Sequence, residues 1–286
     1  MLAAASGVGF GVFQSVNARA VRSIDDPYRS TFLQLVVAAV VLVAAALITG
    51  DLLTLADAPA SSLVSFAIAG LLHFLAGWSL LNLSQQRIGA ARTSPLLTTV
   101  PVFGVAIAAV TLDQVPGVVA MVAILVMCAG AYVVTMRGGI EAPRAADAVP
   151  GLTCAFCWAL SPAFTLHGLD GFDSPLAGLA VGLAASVVVF LVLSPLLSSG
   201  DAPPVSRPGL ALKLVAGVLV ALATWWRWAA LDDAAVGVVL ALSLLSVPVV
   251  LLVAPLVAGR RAERVSAGLW AGSTLVVSGA LLLIAE

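Results

Sequence analysis

The sequence predicts an all-α polytopic membrane protein, with ten transmembrane helices arranged as two inverted five-helix repeats. Three observations predict it. Of the 286 residues, 62% are hydrophobic and 9% charged, with a mean hydropathy of +1.15. A soluble domain carries about 25% charged residues, and a compact chain of this length has no core able to hide so much apolar surface. Charges and Gly/Pro clusters cut the chain into ten apolar stretches, each near the ~20 residues that cross a bilayer. The chain also matches itself when slid by 147 positions.

In order, the stretches run 2–18, 31–49, 61–83, 89–112, 117–136, 150–166, 175–197, 209–231, 234–258 and 265–285. No connection between them is long enough to fold as a domain. The first stretch has no basic leader and no small-residue cleavage site, so it reads as a span and not as a signal peptide. The net charge of -1 and pI near 6.1 give no reason to expect nucleic acid as a partner. Three cysteines make no disulfide framework. The one lysine, Lys213, stands in Leu212-Lys213-Leu214 without the glycine-rich loop of a nucleotide site, so neither a nucleotide nor a cofactor is expected.

The 147-residue shift lays Asp26 on Asp173 and Ala76-Gly77-Trp78 on Ala223-Thr224-Trp225, and lays 97–101 on 244–248. Near the ends of the halves the offset drifts to 149, matching Gly130 with Gly279. The repeats are therefore 1–143 and 144–286. Five is an odd number of crossings, so the copies run in opposite directions, the plan of many secondary transporters with a site between the halves.

The basic residues fit that plan. Connections after spans 1, 3, 5, 7 and 9, taken with the adjoining span ends, carry 12 of the 13, counting Arg92 in the third and Lys213 in the seventh, and Arg227 remains in span 8. Positive residues favour the cytoplasmic side, which places both termini outside.

The run Gln86-Arg87-Ile88-Gly89-Ala90-Ala91-Arg92-Thr93-Ser94-Pro95-Leu96, followed by Thr99-Val100-Pro101, resembles the third-to-fourth-span hairpin of the drug/metabolite transporter superfamily, EamA-like ten-helix branch. Ser246-Val247-Pro248, with Gly268 and Ser278-Gly279, resembles the second copy. The resemblance covers the whole chain. It implies a carrier in the cytoplasmic (inner) membrane, commonly an exporter of amino acids, metabolites or drugs, with both termini inside, against the charge rule. One departure is clear: the family's Gly-Glu pair after the fourth span is Leu112-Asp113-Gln114 here, and Gly259-Arg260-Arg261 stands after the ninth.

Polar residues inside apolar spans are costly and mark candidate sites. Gln14 and Asn17 share one face of span 1, lining a cavity or bonding a neighbouring helix. His73 shares a face of span 3 with Gly70 and Gly77, while Trp78, Asn82 and Gln85 occupy the other; as an ordinary helix, the span turns only one of these faces to a cavity. Arg92, Thr99 and Ser246 belong to the hairpin modules, and Trp158 follows Cys154 and Cys157, a pair that reads as packing. In Trp225-Trp226-Arg227-Trp228, Trp225 matches Trp78, so the two aromatics either flank a pseudo-symmetric site or belong to an interfacial belt. Glycines 7, 9 and 11, 178 and 182, and 268 and 272 read as seams for close helix approach. Pro101 and Pro248, each two residues after a hydroxyl (Thr99, Ser246), are candidate hinges.

The reading is a secondary transporter that moves a small metabolite by alternating access, export in preference to uptake, with no catalytic or metal residues. Its partners are a small-molecule substrate and the lipid bilayer, with a coupling proton or ion and a monomer or homodimer left open. The alternatives are a membrane-embedded lipid or prenyl transferase, for which only Asp25-Asp26 and Asp232-Asp233 offer acidic pairs, or a lipid flippase subunit.

Overall fold

The computed structural model describes residues 1–111, 117–137, 145–197, 205–233, 239 and 242–285. Among them all regular structure is helical. The first helix, α1 (Leu2–Ile24), runs past the expected end at residue 18. Arg19 and Arg22 do not stop it, because each is bonded at the helix end: Arg19 Nη1 donates to the Val257 carbonyl and Arg22 Nη2 to Glu263, both at 2.7 Å. Asp25 closes α1 in a left-handed conformation (φ 57°), and Asp26 starts α2 (Pro27–Thr49) by accepting from the backbone N–H groups of Tyr28 and Arg29. Gly50, at φ 86°, supplies the left-handed residue that ends α2.

After a 3₁₀ turn at Leu53–Asp57, one unbroken helix crosses from Ala60 to Ile88. It consists of α3 (Ala60–Gly70), a π-helical segment (Leu71–Gly77) and α4 (Trp78–Ile88). Gly89 (φ 81°) turns the chain into α5 (Ala90–Leu97), and a turn at Thr98–Thr99 separates α5 from α6 (Val100–Thr111). Then come α7 (Val118–Arg137), α8 (Val149–Gly171), α9 (Pro175–Leu197) and α10 (Arg207–Asp233). A turn at 244–245 precedes α11 (Ser246–Val257), and α12 (Ala267–Ile284) closes the described chain. Five of the described helices are long and apolar enough to cross a bilayer by themselves. The fourth expected stretch is thus two helices, α5 and α6, and the described part of the ninth is broken in the same way.

The packing has the symmetry of a duplicated unit. α1 packs along α10 as α8 packs along α3, and α1 meets α11 as α8 meets α5 and α6. α2 lies on α9, and α7 lies on α12. Exchanging span n with span n+5 leaves these neighbours unchanged, as a pair of equivalent five-helix units requires.

Apolar side chains such as Ile48, Val192, Leu196 and Leu256 face outward, while Gln14, Asn17, Gln34, Asn82, Gln85 and Lys213 are buried. Water would favour the reverse; in lipid, polar groups must find partners inside. This also explains why α1 is polar for a span: it is ringed by α2, α4, α5, α10 and α11. Two glycine seams are structurally required. A Cβ on Gly70 would fall on the backbone of Gly182, and one on Gly11 would lie 2.6 Å from Val249. The glycine seams let helix backbones approach where a side chain would block them.

Lys213 overturns its expected place in the seventh connection: it lies within α10 and is fully buried. A lone charge near the Pro/Gly boundary of the span reads as a loop residue until its partners, which come from three other helices, are seen.

Candidate solute-binding site

The site begins with the π segment. A π-helix bonds i to i+5, so it inserts slack into the helix and leaves carbonyls poorly served. Three side chains of α8 serve carbonyls spaced four residues apart across it. Ser161 Oγ donates to the Ala69 carbonyl (3.2 Å), Trp158 Nε1 to His73 (3.1 Å) and Cys154 Sγ to Gly77 (3.1 Å). Cys154 thus spends its thiol on a backbone carbonyl. The same slack bears on the two faces of span 3, neither of which lines the cavity described below. His73, Trp78, Asn82 and Gln85 are all buried, because the wider turn rotates the second half of the helix relative to the first.

Trp158 is the hub. Its indole stacks on the His73 ring at 5.1 Å and 14°, and meets Phe10 edge-on at 6.2 Å. Phe10 and Trp158 stand on α1 and α8, the first helices of the two halves. Between them lies a cavity of about 70 Å³ lined by Phe10, Gln14, Trp158 and Arg227, together with residues of both helix breaks. Leu97, Thr98 and Val100 come from the first break, and Ser243, Leu244 and Ser246 from the second. Gln14 Oε1 and His73 Nε2 are buried without a hydrogen-bond partner among the described residues. Among the described residues no carboxylate pairs with Arg227, which brings a positive charge to a largely apolar cavity.

Of the candidates named from sequence, Gln14, Trp158, Arg227 and Ser246 thus converge on one cavity, with His73 behind Trp158. Trp78 and Trp225 do not line it: Trp78 is fully buried against Phe74 at 4.9 Å, and Trp225 packs on the main core. Thr99 spends its hydroxyl on the Leu96 carbonyl (2.7 Å). Pro101 is the second residue of α6 and Pro248 the third of α11. Both breaks therefore precede the prolines, which sit in the first turn of a new helix, where proline is tolerated.

Asn17 and Asn82 belong to a second cluster. Asn17 Nδ2 donates to Asn82 Oδ1 and to Gln85 Oε1, both at 2.7 Å, and Asn82 Nδ2 donates to Thr31 Oγ1 at 2.8 Å. Into this cluster Lys213 Nζ donates to Asn17 Oδ1 (2.5 Å), Gln34 Oε1 (2.7 Å) and Asn82 Oδ1 (3.4 Å). Sequence reasoning missed Lys213 and Gln34, and also Phe10, Thr98 and Ser243, which carry no signal apart from lying on the same spans as the candidates.

Arg92 lies elsewhere, at the arginine-rich end, in a polar cavity of about 280 Å³ with Arg261, Glu263 and Arg264. There the Glu263 carboxylate accepts from the backbone N–H groups of Ala90 and Ala91 (both 3.0 Å) and pairs with Arg22. It caps the N-terminus of α5 from the connection after α11, joining the two halves. Asp25 and Asp26 close and open helices at the same end, and Gln86 Nε2 donates to Asp25 (3.2 Å).

No curated protein matches the chain. A crystal structure of another protein aligns with a TM-score of 0.65 at 17% identity, over 98% of this chain and 96% of the other, which establishes the fold alone. The model of the EamA-like transporter family matches residues 1–136, which are the first five-helix half. With its interior polar, its exterior apolar and its second half packed as the counterpart of the first, the chain is a polytopic membrane protein whose first half is similar to the EamA-like transporters.

Proposed function

We propose that the protein is a secondary carrier in the cytoplasmic membrane, moving a small zwitterionic or anionic solute by alternating access. The observation that carries this reading is the cavity between the two broken spans. Interrupted helices at corresponding places in two halves are the recurrent construction of transporter sites. The lining suits such a solute. Arg227 offers a cation to a carboxylate, the free Gln14 Oε1 accepts from an ammonium or amide N–H, and Phe10 and Trp158 form an apolar wall. The volume of about 70 Å³ holds two waters or so at ~30 Å³ each, while ligand sites run to ~300 Å³ and more. A solute therefore enters only when the halves part, with 1–143 and 144–286 as the moving units. The family resemblance suggests export.

The test is a comparison of metabolites on both sides of the membrane in cells with and without the protein, followed by counterflow of the candidates in proteoliposomes. A solute that crosses unmodified, and whose movement Arg227→Met abolishes, supports the carrier. Appearance of a chemically altered product would instead establish the transferase alternative, and no solute moved by folded wild type would sink the proposal.

A further inference from the structure

We propose that Lys213 is a proton-binding site inside the membrane, taking up and releasing a proton as the carrier works. The inference rests on the carrier reading for the use of that proton, but not for its binding.

The geometry first accounts for the charged form. An ammonium has three N–H donors, and Lys213 Nζ faces three amide oxygens, those of Asn17, Gln34 and Asn82. No donor is left over for a solute anion, and the side chain is wholly buried. Among the described residues no carboxylate pairs with it. A buried cation without a counter-ion is costly, so the cage holds the proton only as well as neutral amide dipoles can.

The same cage also accommodates the neutral form. An amine without its third proton presents a lone pair, and one amide must then donate to it. Gln34 is built for this: its Oε1 accepts from Lys213 while its Nε2 is buried without a partner. A half-turn of the Gln34 amide exchanges the two and aims an N–H at the lone pair. Gln85 Nε2, also without a partner, lies in the same network through Asn17. Two proton states thus have two satisfied arrangements, related by a side-chain rotation.

The groups packed around Lys213 do not compete for this role. α9 carries no titratable residue over Pro175–Leu197. α1 contributes Arg19 and Arg22, which bond Val257 and Glu263; α2 contributes Tyr28 and Arg29; and α4 contributes Arg87. α10 itself carries Arg207, Arg227, Asp232 and Asp233, all toward its ends. Asn17 stands one helical turn, about 5 Å, from Gln14 of the cavity, so α1 links the proton site to the solute site.

Lys213 is the chain's one lysine, so lysine labelled with ¹³C at Cε and ¹⁵N at Nζ gives a single side-chain signal from the full protein in nanodiscs with a lysine-free tag. The expected result is a reversible change of that signal between its ammonium and amine limits between about pH 5 and 9, where a working proton carrier must titrate. In Gln34→Glu the carboxylate holds the ammonium, and the midpoint rises by at least about one pH unit. A signal that stays at either limit from pH 5 to 9, or a midpoint that Gln34→Glu leaves in place, overturns the proposal. Should the variant not fold, the wild-type titration decides alone. Solute transport with a flat titration refutes the proton site and leaves the carrier; a titrating Lys213 in a protein that moves nothing does the reverse.

Discussion

Trp158 holds His73 twice, donating its indole N–H to the His73 carbonyl at 3.1 Å while its ring stacks on the imidazole at 5.1 Å. The bond satisfies a backbone group loosened by the π segment, and the stacked ring forms one wall of the cavity. One side chain thereby serves both the backbone of the π segment and the wall of the proposed site. Trp158→Phe keeps an aromatic ring, though a smaller one, and removes the donor, leaving a buried carbonyl unserved, which costs about 1–3 kcal/mol. We expect a lower midpoint in thermal unfolding of the purified protein, with solute affinity changed less than by Trp158→Ala.

A second test concerns the clasp at the arginine-rich end. Glu263 is 2% exposed and serves two backbone N–H groups as well as Arg22, whose side chain is 28% exposed. Glu263→Gln leaves Arg22 without its counter-ion and α5 without its anion, whereas Arg22→Gln leaves Glu263 its two N–H donors. The expected loss is about 2–4 kcal/mol for Glu263→Gln and clearly less for Arg22→Gln. Equal losses in denaturation of the two variants would place the energy in the ion pair alone.

Span number, duplication and glycine seams were legible because each is a pattern in one dimension. Gly182 reads as a close-approach residue from its spacing with Gly178, and its contact with Gly70 agrees. The sequence could not pair Lys213 with Asn17, Gln34 and Asn82, since three helices supply those oxygens and no spacing relates them. The π segment was equally hidden: Leu71-Leu72-His73-Phe74-Leu75-Ala76-Gly77 contains no proline and reads as ordinary helix. Of the candidate site, the polar residues of the spans were visible, but not which of two clusters each would join.

The seam itself gives a sharp contrast. Gly70→Ala forces a methyl onto the Gly182 backbone, while a Cβ on Gly104 meets nothing within 4 Å. Gly104→Ala should express and unfold like wild type. Gly70→Ala should lose several degrees of midpoint or fail to accumulate, as read by fluorescence size-exclusion of a tagged protein.

The prolines serve the breaks by omission. Neither Pro101 nor Pro248 has an N–H for the carbonyl four residues back, on Leu97 and Leu244, so neither break can heal into continuous helix. Alanine at both positions restores those donors. The double variant is expected to fold and bind solute while its turnover falls; wild-type turnover would make the prolines incidental to the cycle.

Orientation is settled by labelling. With Lys213 removed from the loops, arginines still gather at one end, and the charge rule puts that end in the cytoplasm. In a cysteine-free background, Asp51→Cys should react with an impermeant reagent in intact cells and Arg261→Cys should not. The opposite pattern would place both termini inside.

The π segment stores a geometric relation in chain length. Such a segment amounts to an α-helix carrying surplus residue, and its phase sets how Asn82, below it, is turned relative to His73, within it. Replacing Leu71 or Leu72 by another apolar residue leaves that count intact. Deleting either removes the surplus and lets the helix close to its ordinary pitch with Asn82 near its present phase, whereas one further inserted residue swings Asn82 by about 100° away from Lys213. The alignment of the two polar centres is therefore written as a number of residues and not as a choice of them, and an inserted codon is the change it can least absorb.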